Sequence, residues 1–141
     1  MKRAAGTAAL VLAFALAGCQ SAPRLDGANS RCPAENRMQQ TTLYFGLSQP
    51  DGTLISPAQW QAFIDGDVTP RFRAGLTVYD ARGQWLGNDG AVVREQSKAL
   101  MLIHANDERQ NAGIEAIRQR YITRFHQESV MRVDLPACVQ F

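Results

Sequence analysis

Thr41-Thr42-Leu43-Tyr44-Phe45-Gly46-Leu47-Ser48 places Leu43, Phe45 and Leu47 on one side of an extended chain and Thr42, Tyr44, Gly46 and Ser48 on the other. That period of two is the pattern of a strand with one buried face. The segment after this strand decides the fold class. Pro50-Asp51-Gly52 reads as a turn, and Ser56-Pro57-Ala58-Gln59 as a helix start, with serine at N-cap, proline at N1 and glutamine at N3. Ile55 and Trp60 fall at the staple positions. Trp60, Phe63 and Ile64 then share one face of a short helix, which Asp65-Gly66-Asp67 is expected to end.

Strand-forming residues return from Gly75 to Asp80 and again at Gln84-Trp85-Leu86, before a turn at Asn88-Asp89-Gly90. Asp80-Ala81-Arg82-Gly83 between them reads either as a bulge in one long strand or as a turn dividing two short ones. Ala91 to Ala105 reads as a longer strand, polar in its first half and apolar in its second. Asn106-Asp107-Glu108 is an acidic helix start. Ile114, Ile117, Tyr121 and Phe125 form an apolar stripe, and Arg118, Arg120 and Arg124 lie toward the end that favours cations. Ser129 to Val133 resumes the strand pattern, which Pro136 is expected to break.

The order β-α-β-β-α-β is the split βαβ signature. It predicts an α+β, ferredoxin-like βαββαβ sandwich, with an antiparallel sheet in the order 4-1-3-2 and two helices on one face. Strand four would then lie antiparallel to strand one and bring the two chain ends together, Cys32 beside Cys138. A disulfide there closes a loop of about a hundred residues, worth roughly 4 kcal/mol in the chain-entropy model.

The N-terminus carries a different signal. Lys2 and Arg3 precede an apolar run from Ala4 to Ala17 that is too short to span a bilayer, and Leu16-Ala17-Gly18-Cys19 closes it with small residues before a cysteine. This is the layout of a bacterial lipoprotein signal. Residues 1–18 are expected to be removed, leaving Cys19 as a lipid-bearing N-terminus. Residues 19–40 then form a flexible polar tether, and 41–141 a single domain. Gln20, which is not Asp, fits release to the outer membrane of a two-membrane bacterium, with the domain facing the periplasm. That oxidising compartment suits the Cys32–Cys138 bond.

The whole chain has 15 basic and 13 acidic residues. Loss of Lys2 and Arg3 with the signal leaves the two signs equal. The remaining arginines are scattered without interleaved aromatics, which argues against a nucleic-acid partner.

The blocks Thr42-Leu43-Tyr44-Phe45-Gly46-Leu47, Val68-Thr69-Pro70-Arg71-Phe72 through Gly75-Leu76-Thr77-Val78, Gly83-Gln84-Trp85, Arg94-Glu95-Gln96-Ser97 and Phe125-His126-Gln127-Glu128-Ser129-Val130 carry a resemblance. Over about Thr41 to Phe141 the chain resembles the bacterial lipoproteins classed as domain of unknown function 3574. The resemblance implies a small envelope protein and brings no activity to particular residues. Arg73 departs from the pattern, which has proline after Phe72.

His104 and His126, the only histidines, have no His, Cys or carboxylate at metal-site spacing and read as capping or surface residues; no metal or other cofactor is expected. Phosphate-loop, dinucleotide, Gly-x-Ser-x-Gly and His-Glu-x-x-His motifs are absent from the sequence. Two candidate sites remain. Tyr44, Thr77 and Tyr79 project away from the expected core onto the sheet face that two helices leave uncovered, with Trp85 nearby; this face suits a homodimer or an envelope partner. The rival is a small periplasmic enzyme with a polar pocket around Arg94 and Glu95, where Glu95 acts as acid or base, Arg94 as anion partner, and Tyr44 contributes. A non-catalytic, membrane-anchored binding domain is the preferred reading.

Overall fold

A computed structural model describes residues 32–86 and 89–141. The signal, Cys19 and most of the tether lie outside the described residues.

Leu43 and Phe45 are fully buried, and the strand that carries them, β1, runs Arg37–Gly46. It begins before Thr41, where the tether was expected to end. Pairing explains the earlier start: Arg37, Met38, Gln39 and Gln40 lie opposite Cys138, Ala137, Pro136 and Leu135, so ladder hydrogen bonds order a segment whose one apolar residue, Met38, is only half-buried. Helix α1, Pro57–Phe63, opens with a complete capping box in which Gln59 N–H donates to Ser56 Oγ (3.2 Å) and Ser56 N–H donates to Gln59 Oε1 (2.9 Å).

Asp65-Gly66-Asp67 does not stop the chain's coiling. Ile64–Val68 continues as a π-helical turn, closed by Thr69 N–H on Ile64 O at 2.9 Å. The wider turn places both Ile64 and Val68 in the core. Burial of these two residues overrides the local preference of the polar tripeptide.

Strand β2 is continuous over Thr77–Leu86 and pairs with β3, Val92–His104, in unbroken register from Thr77 opposite Met101 to Leu86 opposite Val92. Asp80–Gly83 is therefore neither bulge nor turn. Helix α2, Glu108–Phe125, is capped by Asp107, whose carboxylate accepts from Gln110 N–H at 2.8 Å, and ends on His126 in the left-handed conformation. Strand β4, Met131–Cys138, passes through Pro136 instead of stopping at it. β4 pairs only with β1 and so forms a sheet edge, where a missing N–H is tolerated.

The sheet order is β2-β3-β1-β4, which read from the β4 edge is 4-1-3-2, with every neighbouring pair antiparallel. Both helices cover the face that bears Leu43, Phe45, Leu100 and Leu102, and Ile114, Ile117, Tyr121 and Phe125 of α2 join these residues in one core. Phe45 is its hub. Its ring centroid lies 4.6 Å from that of Tyr121, 5.3 Å from Trp60 and 5.7 Å from Phe63, all edge-to-face.

Cys32 and Cys138 are joined, with their Cα atoms 5.8 Å apart. Val139 N–H donates to Asn36 O nearby, so the bond extends the β1–β4 ladder to the chain ends.

A polar chain runs under the same edge. Thr41 Oγ1 donates to Asp134 Oδ1 and lies 2.8 Å from Nε2 of buried His104, whose Nδ1 donates to Ala105 O. Arg132 grips Asp134 and also reaches Glu115 and Asn111 of α2. Burial raises the Asp134 carboxyl, but the bonds from Thr41 and Arg132 outweigh it and hold the group below the usual carboxylate range. His104 is thus a structural histidine of the interior, not a surface one.

Candidate functional site

Strand alternation and register assign the uncovered face row by row. One row across the sheet is Tyr79, Ala99, Tyr44 and Met131; the next is Thr77, Met101, Thr42 and Val133; beyond it stand Ile103, Gln40 and Leu135. In the other direction come Ala81, Ser97 and Gly46, then Gly83 and Glu95, then Trp85 and Val93. The two tyrosines pair with the same small residue, Ala99, from opposite sides.

This face is apolar and open. Tyr44 is 36% exposed, Tyr79 51%, Trp85 49%, Met131 56% and Leu135 52%. Glu95 is the only charged residue among its strand positions. Tyr44, Tyr79 and Trp85 thus share the face where the sequence places them. Met131 and Val133, inside the strand expected over Ser129 to Val133, and Leu135 just beyond it extend this face; the sequence pattern alone assigns none of the three to a side of the sheet.

Arg94 and Glu95 both border a cavity at this end of the sheet. As strand neighbours they point to opposite faces, and Arg94 Nε donates to Gln84 Oε1 (2.9 Å) on the helix side of the hairpin. There Asp80 pairs with Lys98, and Arg82 and Gln96 complete a wet surface beyond α1. Between Asp80 and Gln84 the hairpin is therefore polar on the helix side.

Glu95 lies in a dent made by glycine. A Cβ on Gly46 would fall 2.5 Å from Glu95 Oε1, so any side chain there would displace the carboxylate, and Oε1 accepts from Ser48 N–H at 3.0 Å. From beneath, the Tyr121 hydroxyl donates to Gly46 O at 2.7 Å. Burial, with the charge of Glu95 adding to it, pushes the Tyr121 phenol far up, so it remains a donor. A cavity of about 410 Å³ adjoins Glu95, lined also by Arg94, Trp85, Gln49, His126, Glu128 and Ser129. The loop after α2 supplies the last three, with Gln127 Nε2 bonded to Ser48 O at 2.7 Å. Nearby, the Asp51 carboxyl is lowered by the hydroxyl and amide of Thr53 and, to a lesser degree, by His126.

Among the described residues no group of three or more His, Cys, Asp and Glu side chains could hold a metal ion, and no helix is long and apolar enough to cross a membrane.

These features define a small α+β domain with one bare sheet face. By sequence, residues 40–141 match the family described as protein of unknown function (DUF3574), and the chain belongs to it. No curated protein matches the chain. Among solved structures, a phage SAM lyase in complex with S-methyl-5'-thioadenosine is similar at TM-score 0.56 and 17% identity, over 72% of this chain and 83% of that one. The same lyase in its apo state gives 0.57 and 17%, over 76% and 86%. CutA from Synechococcus elongatus PCC7942 gives 0.47 and 10%, over 73% and 79%. At these identities the likeness to the lyase is one of fold.

Proposed function

We propose that the protein is a lipid-anchored bacterial envelope protein, tethered through Cys19 and facing the periplasm from the outer membrane, whose bare sheet face binds a second copy of the chain. The observation that carries the binding reading is the row Tyr79–Ala99–Tyr44–Met131 with its apolar neighbours, exposed and interrupted by one charge. An apolar patch of this kind marks an interaction site. Four strands about 4.8 Å apart and about 33 Å long present about 600 Å² per copy. Two copies packed sheet to sheet would remove about 1,200 Å², the lower bound for a stable interface. Glu95 is compatible with such packing because the cavity beside it keeps its carboxylate within reach of water.

The anchoring reading rests on Lys2, Arg3 and the Leu16–Cys19 box, and the Cys32–Cys138 bond fits an oxidising compartment. Two acyl chains on Cys19 would give a stable hold where one is marginal. Cys19→Ala is expected to leave an uncleaved precursor without acyl mass. Cleaved, membrane-bound protein lacking acyl mass in the wild type would overturn the anchor.

Sedimentation in detergent tests the dimer. The wild type is expected to carry twice the protomer protein mass, and the Tyr44→Ser/Tyr79→Ser double variant to be monomeric with unchanged circular dichroism. A monomeric wild type, or a double variant that stays dimeric, would sink the reading.

A second reading, a small periplasmic enzyme, is favoured by one arrangement: Glu95 held by Ser48 N–H above Gly46, with Trp85 beside the same cavity. Arg94 borders the same cavity, while its Nε donates to Gln84 Oε1 on the other face of the hairpin. S-methyl-5'-thioadenosine, which the phage lyase of similar fold holds, is the first probe. Saturable binding that Glu95→Gln abolishes, with the mass unchanged, would favour this reading.

A further inference from the structure

At the end of the sheet opposite Glu95, a cavity of about 660 Å³ opens between the loop that precedes β2 and the start of α2. Arg71, Arg73 and Arg109 line it, together with Gln110, and no carboxylate does.

The loop is fixed in place by Phe72. That side chain is buried, packs against Gly113 of α2, and meets the His104 ring edge-on with centroids 6.0 Å apart. Gly75, at φ 133°, then turns the chain into β2, a conformation that side-chain-bearing residues rarely adopt. With Phe72 pinned, its neighbours Arg71 and Arg73 are held at the cavity, facing Arg109 on the helix wall.

The positive charge here is not neutralised from within. Arg71 lies 3.9 Å from the Asp67 carboxylate, but that carboxylate also faces Arg120 at 3.8 Å and Arg124 at 3.7 Å. One acid therefore serves three guanidinium groups. Arg73 and Arg109 form no ion pair among the described residues. Asp107 is committed to the helix N-cap. His104, at the cavity wall, has both ring nitrogens engaged by Thr41 and Ala105 and serves as structure.

We infer that this cavity binds a phosphate-bearing ligand, held between Arg73 and Arg109 with Arg71 behind them. Two guanidinium forks on opposite walls suit a group that presents at least three oxygens and two negative charges, as a phosphate monoester does, better than a single planar carboxylate. The start of α2 adds a favourable dipole. The site is independent of the sheet-face reading, since it shares none of that reading's tyrosines.

Calorimetry of the full chain in neutral detergent at low salt, titrated with glycerol 3-phosphate and with inorganic phosphate, tests it. Saturable binding is expected, weakened roughly tenfold or more in Arg73→Gln/Arg109→Gln and unchanged in Arg82→Gln, which removes an arginine of the distant hairpin. In a parallel arm, residues 20–141, which keep every described element of the fold and carry neither the apolar signal nor the lipid, are floated with phosphatidylcholine vesicles with and without one-fifth phosphatidylglycerol. Dependence on Arg73 and Arg109 in that arm alone would identify a lipid headgroup as the source of the phosphate; dependence in the first arm would identify a free ester. Equal losses in the double variant and in Arg82→Gln, or no saturable binding in either arm, would overturn the site.

Discussion

Replacing Cys32 and Cys138 together by serine is expected to cost about 4–5 kcal/mol and to lower the melting temperature by about 15–25 °C. The bond closes a loop spanning 106 positions, so its chief effect is on the unfolded chain, whose freedom it removes. In the folded protein it joins the residue opposite Arg37 to the segment that enters β1. The ladder beyond it already includes Val139 N–H on Asn36 O, and Arg37 Nε donates to Cys32 O. Loss of the bond should therefore fray residues 32–36 and the end of β4 without moving the core. Thermal unfolding of the double serine variant, monitored by far-UV circular dichroism, measures the effect. A drop below about 5 °C would mean that the β1–β4 ladder holds the chain ends unaided and that the entropic account fails here.

The disulfide is legible from two cysteines at opposite ends of the domain, and the βαββαβ order, which brings strand four beside strand one, agrees with it. The same period-two reasoning found Leu43, Phe45, Tyr44 and Tyr79, because one face of each strand is wholly apolar or wholly exposed near the helices. It failed where composition and context diverge. Asp80-Ala81-Arg82-Gly83 has the residues of a turn, yet forms continuous strand, since its Asp80 pairs with Lys98 and its Gly83 lies opposite Glu95. Pro136 has the form of a terminator, and only the position of β4 at a sheet edge makes it harmless. Asp65-Gly66-Asp67 looks like a helix stop, but Val68 and Phe72 beyond it have core to fill.

The Glu95 pocket shows a deeper limit. Arg94 and Glu95 stand out in sequence because they interrupt an apolar strand, and both border the cavity, although alternation sends their side chains to opposite faces. His126, Glu128 and Ser129, which also stand at the cavity and which the sequence does not point to, come from a loop about thirty residues later that meets the end of β1 only after α2 has packed. The signal that could have found them is Gly46, a glycine inside a strand, which marks the close approach of another group. In the fold that group is the Glu95 carboxylate.

Alternation itself can be put to a test on two adjacent residues of β1. Phe45→Ala is expected to destabilise the domain by about 3–5 kcal/mol, the range for emptying a large buried aromatic site. Phe45 is completely buried, and three rings close on it within 6 Å, so the surrounding core cannot collapse cheaply into the space. Its loss would also loosen Tyr121, whose hydroxyl satisfies the Gly46 carbonyl and so supports the dent that holds Glu95. Tyr44→Ala, one residue away, removes a ring of similar size that is 36% exposed on the other face. Its cost to the folded protomer is expected to be about 1 kcal/mol or less, drawn from strand propensity and the contact with its row neighbours. Urea unfolding at two protein concentrations separates this protomer term from any loss of dimer, because only the second depends on concentration. Equal costs at Phe45 and Tyr44, independent of concentration, would show that both rings are core. The uncovered face would then be packed against something within the chain itself, and the sheet-to-sheet dimer would lose its surface.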